Sequence, residues 1–223
     1  MKILALDTST EYCSVAVLHG NDVVSEEQRA GQKHSELLLP MVDRLLNETG
    51  IRLEELEGIA FGAGPGSFTG LRIGCAVAQG LAFGAGKPLV PVSTLLALAE
   101  AGRADRVVAA LDARMNEVYL GAYVRADDDW CTIIEPRLQL PSAAPELDGD
   151  RWTAVGSGFA VARGALVAAC GDRLERVDVL LHPHAIEIAR LAVPVLARGL
   201  GVAPENAAPL YVRDKVALKV SER

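Results

Sequence analysis

Aromatic residues are scarce in this 223-residue chain, at 4%, although half of all residues are hydrophobic. The interior therefore has to be built from alanine, valine and leucine. Positive charge is also in deficit, because 22 Lys and Arg stand against 29 Asp and Glu, for a net −7. Proteins that grip nucleic acid unaided carry a basic field, since phosphate neutralisation supplies most of the affinity. Such a field is missing overall, so any work on RNA calls for a partner that does the gripping. The one locally basic stretch, Arg213, Lys215, Lys219 and Arg223, reads as a solvated tail or as an RNA contact. The four cysteines, at 13, 75, 131 and 170, have neither CxxC nor CxH spacing, which leaves zinc unsupported. Three of them fall in apolar patterns, where Cys acts as a small buried hydrophobe, and a reducing compartment fits. His182-Pro183-His184 lacks acidic or thiol neighbours at ligand spacing, so surface or capping roles are favoured there. No GxSxG elbow or HExxH helix occurs. There is no apolar run of ~18 residues, and the N-terminal stretch meets Asp7 before any leader-like core. A soluble, cytoplasmic protein without membrane partners is expected.

What is present is ample apolar residue for a folded core, in one large domain or two small ones, and low hydrophobicity of the disordered kind is excluded. Ile3–Thr8, Cys13–His19 and Val23–Arg29 read as three strands in an antiparallel meander, with Gly20-Asn21-Asp22 as a hairpin signal. From Ser35 to Thr49 the apolar spacing turns helical, and Gly50 ends the helix. A strand at Gly58–Phe61, a glycine-rich loop, a helix from Phe68 to Phe83, a strand at Leu89–Pro91 and a Ser93-capped helix to Glu100 follow. This order is the ribonuclease H-like layout.

The pattern then restarts. Ala5-Leu6-Asp7 recurs as Ala110-Leu111-Asp112, an offset of 105 residues. Cys13–Leu18 maps onto Val118–Tyr123, the turn at 20–22 onto Asp127–Asp129, and the third strand onto Cys131–Gln139. A strand at Thr153–Val155 ends in Gly156-Ser157-Gly158, with one helix from Phe159 to Cys170. Ordered recurrence at one offset indicates internal duplication. The expected fold is thus α/β, a duplicated actin-like (ribonuclease H-like) architecture, divided at 1–103 and 104–223. Its second half looks eroded, with a loop of proline and small residues at Pro141–Asp148.

Two segments invite a phosphate reading. Asp7, Thr8 and Ser9 follow the first strand, where actin-like folds meet nucleotide phosphates, or simply form a turn satisfied by its own side chains. Gly64, Gly66 and Ser67 run from a strand end into a helix N-terminus, which suits an anion or a capped tight turn. The string is neither Walker A nor GxGxxG. The following helix carries Gly70, Gly74, Ala78 and Ala82 at i+4 spacing, a stripe that lets another helix approach closely, in the same chain or in a partner. The helix before it, with Leu37, Leu38, Leu39, Met41, Val42, Leu45 and Leu46, is apolar over more than the ~100° arc a one-sided helix needs.

Leu4–Ser9, His34-Ser35-Glu36-x-Leu38-x-Pro40, Gly64-Pro65-Gly66-Ser67-Phe68-Thr69-Gly70-Leu71-Arg72, Asp112-Ala113-Arg114-x3-Val118-Tyr119 and Pro209-x-Tyr211-x-Arg213 together resemble the TsaB (YeaZ) family over nearly the whole chain. The resemblance implies an actin-like fold and a non-catalytic role in forming threonylcarbamoyladenosine at position 37 of tRNA. A TsaD-like subunit would be the catalytic partner, a TsaE-like ATPase would join them, and tRNA would be met through the complex. In TsaD a His-x3-His pair holds a metal; aligned on Pro91-Val92, those positions fall on Thr94 and Leu98, which leaves no metal chemistry and no catalytic residue here. No cofactor is expected for the chain alone, with ATP or ADP admitted in the complex. His34, Leu37, Leu38, Met41, Gly70, Leu71, Gly74 and Ala78 are the candidate partner interface, shared with a homodimer when the chain is alone. A small ATP-binding phosphotransferase of the actin/acetate-kinase type is the rival reading.

Overall fold

The computed structural model describes residues 1–127 and 129–212. Asp128 of the expected turn and the basic stretch from Arg213 onward lie outside the described residues. Strands β1 (Lys2–Asp7), β2 (Tyr12–His19) and β3 (Asp22–Arg29) form the expected antiparallel meander. The free edge of β1 takes β4 (Gly58–Gly64) in parallel, and β5 (Leu89–Ser93) pairs in parallel beyond it. The sheet order is β3-β2-β1-β4-β5.

The second sheet repeats this from β6 (Arg106–Asp112) outward. On one side lie β7 (Val118–Ala126) and β8 (Asp129–Gln139), both antiparallel; on the other lie β9 (Trp152–Val155) and β10 (Leu174–Asp178), both parallel. Its order, β10-β9-β6-β7-β8, is the first sheet's order read from the other end. The duplication is therefore real, with one slip in register. Asp7 faces Ser14, whereas Asp112 faces Val118, because the second hairpin is one residue shorter. The offset of 105 on the first strand becomes 104 on the next.

Helices complete the layers. α1 (His34–Thr49) and α2 (Phe68–Ala85) cover one face of the first sheet, burying Leu38, Met41, Leu45, Ala78 and Ala82 against Leu6, Val15 and Phe61. The next helix, α3 (Thr94–Ala101), packs on the second sheet, with Leu95 and Leu98 against Val107 and Leu111. α4 (Gly158–Val161) and α5 (Arg163–Cys170) cover that sheet's other face through Phe159 and Leu166. They replace the single helix expected over Phe159–Cys170, because the chain breaks at Ala162, whose φ of −128 is not helical. α6 (Ala185–Ala197) then returns to the first sheet and places Ile188 and Ala192 on Ile3, Ala5 and Ala16. The sequence reading assigned neither β10 nor α6. The division at 103/104 falls between α3 and β6, yet each half lends one helix to the other's sheet. The second half's erosion is also visible. Where α1 stands in the first half, the second has only a short 3₁₀ turn at Pro141–Ala143. Among the described residues, no helix is long and apolar enough to cross a membrane.

Candidate functional site

The carboxyl ends of β1 and β4 bring the Asp7-Thr8-Ser9 turn and the 64–67 loop together. Ser67 caps α2, its Oγ accepting from the Gly70 N–H at 3.3 Å. The Ser67 N–H donates to the Ser9 carbonyl at 2.7 Å, and the Thr8 hydroxyl donates to the Gly70 carbonyl at 2.8 Å. Glycine is required by contact here. A Cβ on Gly66 would strike Ser9, and one on Gly62 would strike the Asp7 carboxylate. Thr94 at the start of α3 donates its hydroxyl to the Pro65 carbonyl, and Leu98 one turn on is wholly buried against the second sheet. Both positions aligned with a metal pair are thus committed to structure.

Asp7 sits at the centre of this knot. It is buried, its Oδ2 accepting from the Ser9 hydroxyl at 2.7 Å and the Ser9 N–H at 3.3 Å. Burial pushes its carboxyl up to about 7, against the lowering effect of those Ser9 bonds. The N–H groups of Ser9, Ser67 and Gly70, which a phosphate cradle would offer to a ligand, are spent within the chain. The phosphate-loop residues are brought together, but they close on each other. The C-terminal segment finishes the closure. The Leu210 N–H donates to the Ala63 carbonyl at 2.7 Å, and the Tyr211 hydroxyl accepts from Arg72 Nε at 3.0 Å. Arg72 also lies 3.8 Å over the ring of Phe68. Between this segment, the Pro65-Gly66 turn and Tyr119 there remains a cavity of about 40 Å³. That is room for a few waters rather than a nucleotide. The link from residue 211 back to 72 was invisible to local pattern, although Pro209-x-Tyr211 had been singled out.

The candidate interface residues need correction. A Cβ on Gly70 would meet the Thr8 carbonyl, and one on Gly74 the Thr8 hydroxyl. With Ala78 and Ala82 fully buried, the small-residue stripe seats α2 on its own sheet. Leu38, Met41 and Leu71 are core residues, and His34 is buried with its Nε2 3.2 Å from the Tyr12 carbonyl. Only Leu37 of the eight is partly accessible. The wide apolar arc of α1 has a plain cause, because the helix packs on the sheet and on α2 at once.

A different set faces outward. Leu39 on α1 and Phe83 on α2 are 50% and 79% exposed, and Ile73 and Val77 on α2 are half-buried. Ala76 is exposed, and a Cβ added at Gly80 or Gly84 would meet nothing. The outer side of α2 therefore carries a second small-residue stripe, Ala76-Gly80-Gly84, open to solvent and flanked by apolar side chains.

Comparison with known proteins gives concordant results. Residues 23–219 match a family model described as TsaD, tRNA N6-adenosine threonylcarbamoyltransferase. The tRNA threonylcarbamoyladenosine biosynthesis protein TsaB of Haemophilus influenzae is 38% identical, the alignment spanning 98% of this chain and 96% of that protein. Its namesake in Escherichia coli is 39% identical over 98% and 97%. The solved structure of YeaZ from Pseudomonas aeruginosa superposes with a TM-score of 0.87 at 40% identity, covering 94% of this chain and 99% of that one.

Proposed function

The chain belongs to the TsaB (YeaZ) family, and on that premise we propose that it serves tRNA threonylcarbamoyladenosine biosynthesis as a non-catalytic subunit. In this reading it docks a TsaD-like transferase, a TsaE-like ATPase joins the pair, and tRNA is engaged through the complex. One observation carries it: the outer face of α2, where Ile73, Val77 and Phe83 border the open Ala76-Gly80-Gly84 stripe. Glycine costs a helix roughly 1 kcal/mol against alanine, and nothing among the described residues requires it at 80 or 84. A facing helix would require it, because small residues let two backbones approach. Contiguous exposed apolar surface marks association sites. When the partner is absent, the same face serves a second copy of the chain.

The non-catalytic part of the reading is supported by the closed state of the Asp7 knot and by Thr94 and Leu98, whose side chains are engaged in the fold. The acidic balance of −7 agrees with RNA being held elsewhere in the complex. The experiment is reconstitution with the TsaD-like and TsaE-like subunits, the adenylate-forming enzyme, ATP, threonine, bicarbonate and tRNA. Wild-type chain supports modification only when the TsaD-like subunit is present. Ala76→Arg and Gly80→Leu melt like wild type yet lose both the partner in sedimentation and the modified tRNA. Modification without the TsaD-like subunit, or normal assembly by both variants, refutes the proposal.

A further inference from the structure

Away from the Asp7 knot, a cavity of about 450 Å³ opens between β3, the turn after α3, β10 and the first turn of α6. Its size lies within the range of small-molecule sites. Both halves of the chain contribute to it. Most charged groups on its wall already have partners. Glu27 Oε2 lies 2.7 Å from His182 Nε2, and Asp178 accepts the Leu180 N–H at 3.2 Å. Arg176 donates to the Gly102 carbonyl at 2.7 Å. His184 Nδ1 accepts the Ile186 N–H at 3.0 Å, which leaves its Nε2 as the ring's donor.

Two groups stand apart. Glu187 is 8% exposed, and its nearest cation is Arg190 Nη1 at 3.7 Å, beyond hydrogen-bond reach. Arg103 forms no ion pair among the described residues, and its φ of 48 holds a bulky side chain on a backbone that such residues rarely adopt. Burial, helped by Glu100, raises the Glu187 carboxyl above its ordinary range, against a hydrogen bond from the residue's own backbone and the charges of Arg190 and Arg103. The wall thus offers a buried carboxyl with no cation inside hydrogen-bond distance and, near enough to act on it, an arginine with no ion pair among the described residues.

We propose that this cavity binds a free aliphatic α-amino acid, with its ammonium on Glu187 and its carboxylate on Arg103. A polyanion would meet Glu27, Asp178 and Glu187, and a polycation would meet Arg103 and Arg176. Among the described residues, no three His, Cys, Asp or Glu side chains are placed to hold a metal ion. Leu181 and Ile186, both half-buried, supply an apolar wall for the ligand's side chain.

Thermal melting of the full chain with L-valine tests this, because a ligand that binds only the folded state raises Tm with concentration. N-acetyl-L-valine lacks the ammonium and L-valinamide the carboxylate, and neither should shift Tm. Glu187→Gln and Arg103→Gln should each keep the fold and weaken L-valine about tenfold or more by calorimetry. L-aspartate should bind worse than L-valine. Absence of a shift with L-valine, an equal shift with either blocked analogue, or undiminished binding in both variants overturns the proposal.

Discussion

The two halves share a sheet and differ in what was built upon it. Each has a central strand flanked by one antiparallel and one parallel neighbour, and each ends its fourth strand in a glycine turn that approaches the central strand closely. In the first half that turn leads into an 18-residue helix, and a 16-residue helix lies beside it. In the second it leads into helices of four and eight residues, and the companion helix is missing. The lesson concerns what a duplicated unit can lose. The sheet and its glycine contacts hold the core together and persist in both copies. The helix pair that presents an outward apolar face survives in only one.

The largest expected effect tests the glycine contacts of the better-kept half. Gly74→Leu would drive a branched side chain into Thr8, and overpacking of this kind costs about 3 kcal/mol, at the upper end of such substitutions. A melt indistinguishable from wild type would refute the close approach of α2 to β1. The electrostatic contrast comes next. Between 3.8, its ordinary value, and about 7 in the fold, Asp7 holds a proton that the unfolded chain has released. Native protein binds more protons than unfolded across this window, so the contribution of Asp7 to stability falls as pH rises through it. Asp7→Asn should remove that fall, gaining most over wild type near neutral pH. Parallel denaturant midpoints at pH 5 and pH 7 decide it, and equal differences at both refute the assignment.

The second half answers with Gly158→Ala, whose Cβ would crowd Ala110 and cost about 1–3 kcal/mol. If only the first-half variant is destabilised, the parallel between the glycine contacts of the two halves fails. The smallest effect is of opposite sign. Gly80→Ala faces open space and should stabilise α2 by up to about 1 kcal/mol. A loss of stability there would mean that the outer stripe is internal after all.

Much of this was legible in the sequence, for stateable reasons. Apolar runs and turn residues marked β1 to β3, and the switch to helical period marked α1, because both signals are local. The repeat at Asp112 exposed the duplication because strand order survived the change in hairpin length. What remained hidden depended on distance along the chain. Spacing disclosed that Gly70 and Gly74 meet something closely, yet it could not say that Thr8 is the neighbour. Met41 looked surplus because the arc of α1 was counted against one neighbour, and α1 has two. α6, rich in alanine and valine with Pro194 inside, carries a weak signal alone and is held by Ile3 and Ala5 across the chain. The Asp7 knot was half legible: its members were picked out, but their mutual hydrogen bonds, which turn a cradle into a plug, were not.

The exchanged helices set the timetable of synthesis. One face of the first sheet, with Ile3, Ala5 and Ala16, takes most of its cover among the described residues from α6, which ends at Ala197. A ribosome that has delivered every strand of that sheet has still produced a half-clothed fragment, which sets this chain apart from folding strictly domain by domain. The nascent apolar face waits for its main cover until the second sheet has been made.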